Sequence, residues 1–230
     1  MDLSNPLRTI APGVEGEVLA VLLRSRVPLT GARVAALSAR SETQVRVVLR
    51  RLEQHGLVDV ERHGQSYSYL LNRDHVLVPG LELLRDAMPA VEAQARAAVA
   101  SWTVPPAALV LFGSAARRDG GAASDLDLLL VRPGDVDADD EVWADQRHAL
   151  ARDLERSAGN AVQVLELTSS ELAEAARRRQ PLVRELRADG IVLAGHDPTL
   201  QGIEANDGEG TPRPRRGPHA RRRPSVARDR

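Results

Sequence analysis

Apolar positions along the first quarter of the chain recur at helical spacing and then switch to alternation. Val14, Val18, Val21 and Leu22 fall at i, i+4, i+7 and i+8, one face of a helix running from Gly13 to Arg26. Pro28 ends it, and Thr30 is a suitable N-cap for a short second helix through Leu37. Ser41-Glu42-Thr43-Gln44 has the form of a capping box, in which Ser41 and Gln44 satisfy each other's backbone donors. That third helix runs to about His55, where Gly56 supplies the stop. Val58 and Val60 alternate with Asp59 and Glu61, a half-buried strand, and His63-Gly64-Gln65 turns the chain. Ser66 to Leu71 returns as a second strand with Tyr67 and Tyr69 on one face.

Helical periodicity resumes from Val78 to Trp102, with a break near Pro89, a residue suited to the first turn of a new helix. Leu84, Met88, Val91, Ala95 and Ala98 form a stripe that reads either as a seam between two copies of the chain or as a connector packed on its own unit. Pro105-Pro106 marks a boundary. Beyond it, Ala107 to Phe112 reads as a buried strand, Ser114 to Arg118 as a helical turn or two, and Ser124 to Val131 as a second strand. A helix over Asp137 to Ser157, a strand over Ala161 to Leu167 and helices over 169–179 and 181–188 follow, with Ser169 or Ser170 as a cap. Ile191 to Leu193 closes the series as a short strand.

Two units with a connector account for this order. Residues 1–75 give three helices and a hairpin, the order of a winged helix-turn-helix, and 76–103 are a helical linker. Residues 104–196 alternate strand and helix as an α/β unit, and 197–230 are an Arg- and Pro-rich tail without periodicity that reads as disordered. The fold class expected is therefore a mixed α+β and α/β two-domain chain.

Composition narrows the setting. The 230 residues hold no cysteine, which excludes disulfides and thiolate metal sites. No segment reaches the roughly 20 apolar residues of a membrane span, and Met1 to Ile10 lacks the pattern of a signal peptide, so a cytoplasmic protein without a membrane partner is expected. The net charge of −1 hides an uneven distribution. Residues 211–230 carry eight Arg against Asp229, which leaves −8 for residues 1–210. Between Arg24 and Arg51 the sign reverses locally, with seven Arg against Glu42. A basic patch of this kind suits a polyanion.

The outer face of the Ser41–His55 helix carries Thr43, Arg46, Val47, Arg50 and Gln54, with Arg51 at its edge. Arg pairs with guanine edges or phosphates, Gln with adenine, and Val47 suits a thymine methyl. Arg62 at the hairpin tip is placed to reach a neighbouring phosphate. Thr43, Arg46, Arg50, Arg51 and Arg62 are accordingly the candidate contacts to double-stranded DNA. From about Gly13 to Asn72 the chain resembles the winged-helix domains of the MarR and ArsR groups of bacterial regulators, on the stretch VVLRRLEQHGLVDVERHGQSYSYLLN.

The sharpest chemical signal is LFGSAARRDGGAASDLDLLLV, residues 111–131. Gly113 at a strand end lets backbone approach a phosphate, and Ser114 adds a hydroxyl donor. Asp125 and Asp127, two apart on a strand, project from one face, while Leu126, Leu128 and Leu130 point into a core. Two carboxylates on one face repel unless a hard divalent cation lies between them. Gly113, Ser114, Asp125 and Asp127 together resemble the G-S, D-x-D signature of the polymerase-beta-like nucleotidyltransferases, in particular their minimal bacterial branch.

That resemblance implies a phosphate cradle at Gly113 and Ser114, metal ligation by Asp125 and Asp127 with Mg²⁺ or Mn²⁺, and ATP or another NTP as substrate. Arg117 then either stabilises phosphate charge or pairs with a nearby acid. The third family carboxylate aligns with neutral Gln163, and Glu166, three residues on, falls on the opposite strand face unless a bulge intervenes. Three functions follow. One is a nucleotidyltransferase fused to a DNA-binding unit, its acceptor a small molecule, an RNA end or a protein such as a toxin partner. The second is a transcription regulator whose impaired nucleotidyltransferase-like domain senses nucleotide. The third is a non-catalytic scaffold that binds neither.

Overall fold

In a computed structural model the structure describes residues 1–195, and the Arg-rich tail expected over 197–230 lies outside them. A short 3-10 turn, Pro6–Thr9, precedes α1 (Val14–Arg24), β1 (Leu29–Thr30), α2 (Gly31–Ser38), α3 (Glu42–Gln54), β2 (Val58–His63) and β3 (Ser66–Leu71). The strands form an antiparallel sheet in the order β1-β3-β2, with Val60 opposite Tyr69. Val18, Val34, Val45, Leu49 and Val58 fill the core between the helices and this sheet. Thr30 caps α2 by accepting from Arg33 N, and Ser41 caps α3 by accepting from Gln44 N. The capping box expected at Ser41 closes differently: the Ser41 hydroxyl donates to Gln44 Oε1 at 3.0 Å, a bond between side chains.

α4 (Val78–Arg85) and α5 (Ala87–Ala100) continue the chain, parted at Asp86, three residues ahead of Pro89. Val78 closes the first core, while Met88, Ala95 and Val99 enter a second one. The apolar stripe considered as a seam between copies is thus used inside the chain, since Met88 and Ala95 are buried there and Leu84 packs on the first core.

The second unit contains β4 (Ala108–Phe112), α6 (Gly113–Arg117), β5 (Leu126–Arg132), α7 (Glu141–Ala158), β6 (Val162–Thr168), α8 (Ser169–Arg177), α9 (Pro181–Asp189) and β7 (Ile191–Gly195). Its sheet runs β6-β5-β4-β7 and is mixed: β5 and β6 are parallel, the other pairs antiparallel. β5 is apolar on both faces because both are covered. Leu126, Leu128 and Leu130 face α5 and α7, together with Trp143 and Leu150. Leu129 and Val131 face α8 and α9, packed with Leu172, Val183 and Leu186. The capping residue of α8 is Thr168, in a full capping box with Glu171; the expected caps Ser169 and Ser170 lie inside the helix. Trp102 and Trp143 meet edge to face at 5.6 Å between ring centres, as packing anchors.

The N-terminal segment touches both cores. Leu7 lies in the first and Leu3, 1% exposed, in the second. No described helix is long and apolar enough to cross a membrane.

Candidate active site

β4 and β5 are antiparallel neighbours in a register that sets Phe112 opposite Asp127. The Gly113-Ser114 turn therefore emerges beside the second acid of the D-x-D motif. Gly113 has φ +69, in the left-handed region, and a Cβ placed there would lie 2.5 Å from Asp127 Oδ2. Both facts demand glycine: an L side chain would be strained and would collide with the carboxylate. Ser114 lines the same turn, and its Oγ lies against Gly120, where a Cβ would come within 2.8 Å.

Asp127 is half-buried on the sheet face it shares with Leu129 and Val131. Its carboxyl is raised above the ordinary range, first by burial and then by the negative charges of Asp125 and Glu185, against the opposing pull of Arg117. Asp125 lies one residue ahead of β5, outside the regular ladder. Gln163 stands directly beside Asp127 in the parallel β5–β6 register and donates from Nε2 to Asp125 Oδ2 at 3.4 Å. A neutral amide thus lies beside the two acids, at the position where the resemblance led to the expectation of a third carboxylate.

Glu166 is not a displaced third acid. It pairs in register with Leu130, on the face opposite Asp127, and no bulge interrupts the β5–β6 ladder. Arg132 Nε donates to it at 2.8 Å and Arg147 binds its other oxygen. Burial opposes its ionisation, yet hydrogen bonds from Arg147 and Arg132 hold its carboxyl below the ordinary range. Arg117 bonds to Asp119 at 3.0 Å and to Asp189 at 3.3 Å, the second of the two roles considered for it.

Sequence reading missed Glu185. It shares a face of α9 with Asp189, one turn further on, and α9 packs on α6. Helical spacing alone gave it no distinction from a solvated acid. It also missed what holds Arg118, which occupies a left-handed position with φ 61. Its guanidinium bonds to Glu92, a buried carboxylate on α5, and to the Ala115 carbonyl at 3.3 Å. A glycine would adopt that backbone freely; this chain holds an arginine there by an ion pair.

Among the described residues no group of three or more His, Cys, Asp or Glu side chains is arranged to hold a metal ion by itself. Asp125 and Asp127 can supply two hard oxygen donors and Gln163 a neutral one. A side chain at Gly113 would fill the space against the Asp127 carboxylate, and Asp127 is half-buried. That set fits a divalent ion whose remaining ligands come from phosphate and water.

On the first unit, Thr43, Arg46, Arg50, Arg51 and Arg62 are all exposed. Arg46 and Arg50 line a cavity of about 610 Å³ between α3 and the hairpin, shared with Glu42, Glu53, Tyr67 and Tyr69. Arg51 turns away to Glu15 on α1 at 2.9 Å, and Arg62 donates to the Gly64 carbonyl at 3.0 Å. Of the five candidate contacts, α3 thus presents Thr43, Arg46 and Arg50 together, and sets Arg51 apart.

Residues 94–185 match the family model of a nucleotidyltransferase domain. The match takes in part of α5 and three of the four strands of the sheet, β4, β5 and β6, in keeping with the burial of Ala95 and Val99 in the second core. No curated protein matches the chain. Among solved structures, a toxin–antitoxin complex with AMP-PNP is 18% identical, covering 50% of this chain and 82% of that one, with a TM-score of 0.35. Human N-acetylserotonin methyltransferase with SAM is 22% identical over 40% of this chain and 30% of that one, with a TM-score of 0.27. The archaeal chromatin protein TrmBL2 is 18% identical over 70% and 65%, with a TM-score of 0.25. Likenesses at these TM-scores fix neither fold nor function.

Proposed function

We propose that the nucleotidyltransferase domain binds an NTP such as ATP with Mg²⁺ or Mn²⁺ and transfers its nucleoside monophosphate to a hydroxyl acceptor. The observation that carries this reading is the closeness of Gly113 to Asp127, which the β4–β5 register sets side by side; it supports reading the glycine turn and the acid pair as parts of one site. Gly113 and Ser114 hold the triphosphate, and Asp125 and Asp127 ligate the ion. When bound, such an ion neutralises charge on the triphosphate and on the departing pyrophosphate. The acceptor oxygen forms a bond to the α-phosphorus, the bond to the bridging oxygen breaks, and pyrophosphate leaves with the electron pair. Gln163 cannot accept the hydroxyl proton, which passes to solvent. A partner protein, such as a toxin, is the acceptor class that the family resemblance favours.

The first unit, residues 1–75, is a winged helix in this reading, with 76–103 as connector and 104–196 as the body of the transferase domain. α3 enters the major groove of double-stranded DNA through Thr43, Arg46 and Arg50, and Arg62 of the hairpin reaches phosphate. The exposure of these residues and the order of elements support it. Transfer of label from NTP labelled at the α-phosphate, tested against cell extract, should be seen with the wild type and lost in Asp125→Ala. Equal labelling by both would defeat the assignment.

One observation favours a second reading. Gln163 fills the place of the third acid and is hydrogen-bonded to Asp125. A site of this kind can bind nucleotide without turnover and report it to a DNA-bound regulator. Calorimetric ATP binding that alters DNA affinity, with no product, is its signature.

A further inference from the structure

Asp125 is bracketed by two consecutive residues of the loop between α7 and β6. It lies just outside β5, so the regular ladder does not fix it. On one flank, the Leu126 N–H donates to the Ala161 carbonyl at 2.8 Å. On the other, the side chain of Asn160 donates from Nδ2 to the Ser124 carbonyl at 2.9 Å and to that of Ala122 at 3.4 Å. Asn160 is 4% exposed. Its Nδ2 also reaches the Met1 carbonyl at 3.0 Å, and its Oδ1 accepts from the Met1 amino group at 2.7 Å. Gly159, with φ +72, ends α7 and delivers Asn160 to this place. Residues 121–123 are exposed, so burial does not locate the loop that leads into Asp125.

We infer that Asn160 is a positioning residue for the nucleotide site: it fixes Asp125 by gripping the backbone immediately before it. The inference rests on the reading of Asp125 as a metal ligand. A ligand aimed by an ordered backbone loses less conformational freedom on binding, and groups that orient ligands are worth roughly 10–100-fold in metal affinity. Removing the Asn160 donors would take the side-chain partner from the Ser124 carbonyl and loosen the backbone on that flank of Asp125, leaving it held by the Leu126 N–H bond and by Gln163.

Asn160→Asp separates this role from a merely structural one. It keeps the volume and the acceptor for the Met1 amino group, but sets a carboxylate oxygen against the Ser124 carbonyl. The probe is a non-hydrolysable ATP analogue titrated calorimetrically in Mn²⁺ and in EDTA. In the wild type Mn²⁺ strengthens binding, and in Asp125→Ala that gain disappears. In Asn160→Asp the gain falls by about tenfold or more. Affinity in EDTA, which depends on Gly113 and Ser114, stays at the wild-type value. An undiminished Mn²⁺ gain in Asn160→Asp overturns the inference, as does an equal loss in Mn²⁺ and EDTA, which reports general disruption. Should Asn160→Asp not fold, Asn160→Ser is read in the same way. No Mn²⁺ gain in the wild type overturns the metal reading itself, and this inference with it.

Discussion

β6 carries two polar residues three apart, Gln163 and Glu166, and they belong to opposite kinds of environment. Glu166 faces α7, where Arg132 and Arg147 neutralise it within the fold. Gln163 faces the other way, toward Asp125 and Asp127, for which no ion pair exists among the described residues. An acid already paired with arginine is satisfied by folding and needs no ligand. Asp125 and Asp127, held beside a glycine turn, make no ion pair among the described residues; Asp125 accepts a bond from Gln163, and Arg117 acts on Asp127 only through its charge. The two faces of one strand thus differ: one carries a charge neutralised within the fold, the other a neutral amide set against two acids of the neighbouring strand and its approach.

The comparison breaks first at Gly113. Gly113→Ala should abolish metal-dependent nucleotide binding, because its Cβ would meet Asp127 Oδ2, and the left-handed backbone should cost about 1–3 kcal/mol of stability. Calorimetry and thermal unfolding read the two effects. Wild-type affinity in this variant would show that the turn and the acid do not form one site.

Gln163→Glu should sharpen the contrast by adding the acid that the position lacks. If proton removal limits turnover, transfer should rise by roughly 10²-fold, the lower end of a general base's contribution. No transfer in either the wild type or Gln163→Glu, with ATP binding retained, would support the binding-only site.

Glu166→Gln should leave nucleotide binding unchanged while destabilising the fold by about 2–3 kcal/mol, below the full cost of breaking a buried pair because Arg147 is partly exposed. The pH dependence has a definite sign. The Glu166 carboxyl is held below its ordinary value of 4.5, so its stabilisation is present above that pH and lost as pH falls through the lower folded value. Denaturant midpoints between about pH 5 and 3 should therefore fall more steeply in the wild type than in Glu166→Gln.

The smallest effects concern α3. Arg46→Ala and Arg50→Ala should each lower the salt dependence of duplex-DNA binding by about one unit of slope. Arg51→Ala should do less, because Arg51 is tied to Glu15. Equal losses at all three would make the basic face a diffuse patch.

The candidate site was proposed from residues local in sequence: Gly113 and Ser114 follow the end of β4, and Asp127 lies on β5, while Asp125, expected on the same strand, falls one residue ahead of it. Strand alternation also separated Glu166 from the pair correctly, since the ladder has no bulge. Arg117 was left between two roles because its partner Asp189 is 72 residues away. The burial of Leu129 and Val131 was not readable from the strand itself, since it depends on α8 and α9 covering the second face.

The chain's periodicities determined where helices and strands form, and its motif determined which residues could meet phosphate and metal. Only the tertiary structure decided that Asn160 would grip the loop before Asp125, that Glu185 would approach Asp127 and that Arg118 would be tethered to Glu92. Spacing along a strand or helix is fixed by backbone geometry and can be counted. Contacts between distant segments depend on how the sheet stacks its layers, which no local pattern encodes.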